Sequence, residues 1–313
     1  MENSSQSLDE REKESMLAHL LRCFLCSAIG CLLLTACIQP PSAHTIPVPA
    51  TAVEATAPVT ETVTVDQLAG FDQQSWSATS PDGVWQIAGL TALPQASGEQ
   101  YYTEMRVQRA DGSVKWLPVA TWSNFGLGYT TPQLVQWSPD GRYLYFTNAP
   151  VPDGCALFVN ASDLQRLDLG SGEVQEVLPT NSTGSLAIAP DGKTVAYSHA
   201  DEVVLRDLDT GEVRSQKVMA EEASYQLGNY VWSPDSQQVA FTIANAPCQP
   251  PTWRHSILQM DAQTLATTTL IEPDQRRFTI TAWPEAAQLL LLDAEHQPWA
   301  LDITSGAISQ GTE

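Results

Sequence analysis

Apolar positions along this chain recur in pairs two residues apart, each pair at a fixed distance behind a proline. Leu144 and Phe146 follow Pro139, Val195 and Tyr197 follow Pro190, Val239 and Phe241 follow Pro234, and Leu289 and Leu291 follow Pro284. Positions two apart share a face of a β-strand, so each pair predicts a strand with one side in a core. The prolines sit in a repeated phrase. Trp137-Ser138-Pro139-Asp140-Gly141 returns as Ile188-Ala189-Pro190-Asp191-Gly192 and as Trp232-Ser233-Pro234-Asp235-Ser236, with weaker copies at Ser80-Pro81-Asp82-Gly83 and Ala282-Trp283-Pro284-Glu285. Proline cannot donate to a strand ladder, Asp can bond turn amides, and Gly accepts positive φ. Each phrase therefore predicts a turn that opens a strand.

A second marker lies downstream. Asp168-Leu169-Gly170-Ser171-Gly172 matches Asp207-Leu208-Asp209-Thr210-Gly211 and Asp302-Ile303-Thr304-Ser305-Gly306, while Asp261-Ala262-Gln263-Thr264 and Asp111-Gly112 are degenerate copies. It reads as a second hairpin. Two hairpins per period of roughly fifty residues give about four strands per repeat, the content of a propeller blade. The fold class expected is all-β: a β-propeller of five four-stranded blades over residues 62–313. Ring closure is expected from a strand at Thr62–Val65 pairing with Ala307-Ile308-Ser309.

These phrases resemble the TolB-type, PD-repeat (WD40-like) β-propeller family over about residues 75 to 310. The resemblance implies blades around a central channel and no catalytic residue within the motif.

The segment ahead of the repeats carries a different pattern. Arg22 precedes an apolar run from Cys23 to Leu34, followed by Leu34-Thr35-Ala36-Cys37. This tetrapeptide resembles the bacterial lipobox, in which the cysteine is lipidated and becomes the new N-terminus. The run is too short for a membrane-spanning helix. Residues 1–36 are thus expected to be a lipoprotein signal peptide, with Met1 or Met16 as the start and Cys31 as a poorer lipidation site than Cys37. Residues 37–61, rich in Pro, Thr and Ala, read as an extended linker. The expected setting is extracytoplasmic, in a bacterial cell envelope, with the membrane as one partner through the lipid.

Removal of the signal leaves Cys155 and Cys248 beside the lipidated Cys37, and an oxidising compartment makes them a disulfide candidate. Each lies in an insertion of about ten residues between the Pro-Asp turn and the second hairpin, in blades two and four. The blade-four insertion also carries Trp253-Arg254-His255, the first candidate ligand contact, while Trp122 and Tyr129 near the passage from blade one to blade two rank behind it. The formal charge of −21 over 313 residues excludes a basic nucleic-acid surface. The histidines are scattered, so neither metal nor cofactor is expected, and no hydrolase elbow is present to nominate a catalytic residue. The function expected is a binding or scaffolding module for an envelope protein or glycan. The alternative is a carbohydrate-active protein, either lectin or five-bladed glycosidase; a convergent pair of channel carboxylates would favour the enzyme, and an aromatic mouth without one favours binding.

Overall fold

A computed structural model describes residues 65–311 except 97, 153–154, 182–183, 219–224, 248 and 250. The signal, the lipobox, the linker and Cys248 therefore lie outside the described residues. A short 3-10 helix, η1 (Val65–Leu68), leads into twenty strands. Blade 1 comprises β1 (Asp72–Thr79), β2 (Trp85–Leu93), β3 (Gln100–Arg109) and β4 (Lys115–Asn124); blade 2 comprises β5 (Thr130–Trp137), β6 (Tyr143–Pro150), β7 (Leu164–Asp168) and β8 (Val174–Leu178). Blade 3 comprises β9 (Leu186–Ile188), β10 (Thr194–His199), β11 (Glu202–Asp207) and β12 (Val213–Lys217). Blade 4 comprises β13 (Tyr225–Trp232), β14 (Gln238–Asn245), β15 (Arg254–Asp261) and β16 (Thr267–Asp274), and blade 5 comprises β17 (Thr279–Glu285), β18 (Gln288–Leu292), β19 (Pro298–Asp302) and β20 (Ile308–Gln310). Every blade is an antiparallel sheet in sequence order. The chain is a five-bladed β-propeller, as the repeats predict.

The repeated phrase builds the turn between the first and second strands of a blade. Ser138 Oγ donates to Asp140 Oδ1 (2.6 Å) and accepts from the Tyr143 amide (2.7 Å), while Asp140 Oδ1 also accepts from the Arg142 amide (3.0 Å). The Ser80/Asp82 and Ser233/Asp235 turns repeat this set. Blade 3 carries Ala189 in place of the serine, and Asp191 keeps only the amide of Lys193 (3.0 Å). These bonds to the ionised form hold the Asp140 and Asp235 carboxyls below their usual range, the serine hydroxyl first. A carboxylate depressed in the folded state contributes stability above its unfolded pKa, and that contribution is lost as pH falls through the folded value. Stability is thus expected to drop below about pH 4. Ser138→Ala should remove about 1 kcal/mol at neutral pH and flatten the acid limb of a denaturation series; an unchanged acid limb would contradict this role for the turn.

The first strands line the axis and the fourth strands form the rim, where β12 is exposed along its length. Four hydrophobic clusters seal successive blades. Met105 and Val107 pack with Leu144 and Phe146 between blades 1 and 2, and Tyr145 with Val195 and Tyr197 between blades 2 and 3. Val203 and Leu205 meet Trp232 and Phe241 between blades 3 and 4, and Ile257 and Ile271 meet Ile280 and Leu289 between blades 4 and 5. On the lower face, the ring of Trp116 in blade 1 fits against Gly172 in blade 2, and its Nε1 donates to Leu169 O (3.1 Å). Gly172 has φ +76°, and a Cβ there would lie 2.5 Å from the Trp116 ring, so both backbone and packing demand glycine.

The expected ring closure is not what the described residues show. Val65 lies in η1 instead of a strand, Thr62–Thr64 lie outside the described residues, and β20 pairs with β19 alone. No hydrophobic cluster among the described residues joins blade 5 to blade 1. The far face of blade 1 carries a polar group. It buries Glu104, which accepts from Tyr102 Oη (2.8 Å) and pairs with Arg106, beside a cleft of about 470 Å³ lined with Gln73, Ser75 and Ser77. A buried carboxylate needs such partners, and they share this face with a small apolar cluster of Leu68, Ala92 and Tyr102.

Candidate functional site

Two sets of connections emerge on the upper face: those from second to third strand and those from one blade to the next. The two long insertions belong to this set, Val151–Asp163 in blade 2 and 246–253 in blade 4. The blade-2 insertion passes beyond blade 3 and docks on blade 4. Gln226 in β13 clamps it at both ends of its amide, with Oε1 accepting from the Leu157 amide and Nε2 donating to Cys155 O, each at 2.6 Å. Phe158 then lies against Gly228, where an added Cβ would sit 2.6 Å from Phe158 Cβ, and its ring meets His255 edge-on at 5.5 Å. Phe158 itself adopts φ +56°, a conformation that tertiary contacts must hold in a bulky residue.

His255 is only 4% exposed. Its Nδ1 lies 3.0 Å from Phe278 O and its Nε2 accepts from Trp253 Nε1 at 3.1 Å, which places the proton on Nδ1 of a neutral ring. Burial pushes its pKa down, with the neighbouring Arg277 charge acting in the same direction. His255 therefore holds Trp253 from behind, and its nitrogens are committed within the fold. Arg254 donates from Nη1 to Pro251 O (2.6 Å) and Trp253 O (2.8 Å), so it shapes the loop that presents Trp253.

The surface of this mouth is completed by residues that the sequence did not single out. Arg277, in the passage from blade 4 to blade 5, stacks its guanidinium 4.7 Å from the Trp253 ring centre and has φ +54°. Its neighbour Arg276 is sandwiched by Phe278 (4.5 Å) and Trp299 (5.1 Å) and bonded to Asp274 (2.6 Å). That guanidinium holds the Asp274 carboxyl well below its usual range. Trp299 Nε1 in turn donates to Asp293 Oδ2 (2.9 Å). Arg276 is thus neutralised locally, whereas Arg277 faces an aromatic ring and carries no ion pair among the described residues.

Trp122 and Tyr129 share the upper face but lie in blade 1 and its exit, in two separate aromatic groups. Trp122 packs on Phe71 (5.6 Å) and Tyr102 (5.1 Å), and Tyr129 packs on Tyr101 (5.6 Å) and Phe125 (5.0 Å). The fold does not bring them to Trp253. Cys155 lies under the Gln226 clamp, while Cys37 and Cys248 fall outside the described residues.

The axial wall is neutral. A cleft of about 490 Å³ between β1 and β5 is lined by Gln74, Ser75, Thr131 and Gln133. The inner strands bear two carboxylates, Asp72 at the upper start of β1 and Glu285 at the lower end of β17, too far apart along the axis to converge. Among the described residues no group of three or more His, Cys, Asp or Glu is placed to hold a metal.

TolB proteins are among its structural neighbours. TolB from Acinetobacter baumannii aligns with 12% identity and a TM-score of 0.40, covering 80% of this chain and 71% of that one. The β-propeller domain of the Trilobed protease from Pyrococcus furiosus aligns with 12% identity and a TM-score of 0.47, covering 75% and 71%. An oligogalacturonate lyase in complex with manganese aligns with 14% identity and a TM-score of 0.45, covering 69% of this chain; the chain spans only 61% of that protein. No family model matches the sequence, and no curated protein matches it. What this mouth can do is therefore read from its own residues: an indole and a stacked guanidinium can grip a ligand.

Proposed function

We propose that this chain is an extracytoplasmic β-propeller lipoprotein of the bacterial cell envelope, anchored in the membrane through Cys37, that acts as a binding or scaffolding module at its upper face. One observation carries the binding reading: Trp253 and Arg277 form a stacked aromatic and cation pair on the upper face, while the cleft between β1 and β5 offers amides and hydroxyls without a convergent carboxylate pair. Hydrolysis of a glycosidic bond needs two carboxyl groups within about 10 Å, whereas recognition needs a held aromatic surface and a cation. An envelope protein is the first partner that fits. A glycan is the second, favoured by the Gln74, Thr131 and Gln133 lining of the axial cleft. The acidic balance of the chain leaves nucleic acid out.

The mouth is tested by presenting the mature protein to an envelope extract and to a glycan array. Trp253→Ala with Arg277→Gln should weaken the captured partner by about tenfold or more, the value of a lost cation–π and contact surface near 1.4 kcal/mol. Equal capture by the variant and the parent would reject the mouth as the site. The anchor is tested separately: Cys37→Ser should shift the protein to the soluble fraction or leave the precursor uncleaved. Normal processing and membrane retention of that variant would reject the lipidation.

A further inference from the structure

The upper corner of blade 1 presents apolar surface that no described part of the fold covers. Leu127 is 88% exposed at the tip of the passage from β4 to β5, between Gly126 and Gly128. The tip is braced. The Phe125 amide donates to Glu99 O (2.8 Å), the Gly98 amide to Phe125 O (3.1 Å), and the Val151 amide to Tyr129 O (2.9 Å). At its base Tyr101 packs edge to face with Phe125 and with Tyr129, which lie tilted on one another. Trp122, 38% exposed, lies five residues earlier near the upper end of β4. A leucine held out on a rigid support is a surface made for something apolar.

The chain itself indicates what that is. Trp122 packs on Phe71, and Phe71 follows η1, where the residues after Cys37 join the fold. The tether thus arrives at this corner. Residues 38–64 between them span at most about 90 Å when extended, which keeps the corner at high effective concentration near any surface holding Cys37. We infer that this corner seats Leu127 and Trp122 in the headgroup region of the bilayer that carries the anchor, a reading that rests on the lipidation of Cys37. Trp and Tyr suit that boundary because each has an apolar body and a polar edge. Exposed Glu99 and Asp72 flank the corner, so the surface it fits is zwitterionic.

The experiment uses the full lipidated chain in phosphatidylcholine vesicles containing spin-labelled lipid, with Leu127→Cys carrying an environment-sensitive fluorophore and Val213→Cys, on exposed β12, as the control. The expected result is blue-shifted emission at 127 with loss of intensity to the lipid quencher, and neither effect at 213. Replacing a third of the lipid with an anionic species should reduce the quenching at 127. Protein that floats with the vesicles while the 127 probe stays in water overturns this inference alone. A probe that is shielded but unquenched assigns the corner to a second copy of the chain and also overturns it. Protein that fails to float overturns the anchor and this inference together.

Discussion

Asn229→Ala is expected to cost about 3 kcal/mol of stability, a large effect for one half-buried side chain. Asn229 sits in the β13 bulge with φ +55° and ties three blades together. Its Nδ2 donates to Ile280 O (2.9 Å), its Oδ1 accepts from the Ile280 amide (2.7 Å) and from Thr242 Oγ1 (3.0 Å), and its own amide donates to Ser185 Oγ (3.1 Å). Alanine leaves both backbone groups of the buried Ile280 without these partners, at roughly 1 kcal/mol each. Alanine also lacks the short polar side chain that lets asparagine tolerate the left-handed region, which adds about 1 kcal/mol. Asn229→Gly removes the second cost but not the first, so it should lose only about 2 kcal/mol. Urea denaturation of both variants, with slopes equal to that of the parent, checks the partition. Equal midpoints for the three proteins would show that the bulge does not join the blades energetically.

The second large effect is expected from a Cys155–Cys248 disulfide, which we propose as the link between the two long insertions. The support is geometric. The blade-2 insertion lies on blade 4 under the Gln226 clamp, and the blade-4 insertion begins one strand away at 246. Closing a loop of roughly ninety residues is worth on the order of 4 kcal/mol through the unfolded chain. Reduction should lower stability by up to that amount, and Cys155→Ser, Cys248→Ser and the double variant should be equally destabilised, since each removes the same link. Non-reducing peptide mapping of exported protein should return the two cysteines in one linked species. Free thiols at both positions would refute the pairing.

The two insertions show where sequence reading reaches and where it stops. Their length and their equivalent places in blades two and four were visible as spacing, and so was their common face. That Gln226 and Gly228 receive the blade-2 loop was not, because one amide and one glycine in β13 carry no pattern that distinguishes them from other strand residues. Trp253 was legible as an aromatic in an inserted loop. His255 beside it looked like a second contact, yet burial against Phe278 and Phe158 turned it into a support.

Periodicity by itself determined the architecture of this protein. A Pro-Asp turn and an apolar pair are satisfied within one blade, by bonds such as Ser138–Asp140 that span a few residues, so every copy announces its strands locally. The ring closure and the make-up of the mouth were decided only in the tertiary structure. Val65 lies in η1 instead of the expected closing strand, and on the neighbouring face of blade 1 Glu104, Arg106 and Tyr102 are committed to one another from alternate positions of β3, which no repeat announces. The mouth joins Phe158, Trp253, Arg277 and Trp299, which are far apart in the chain and meet only because the blades curve around an axis. Such contacts cost nothing in local pattern and leave no trace in it; they exist once the propeller has formed.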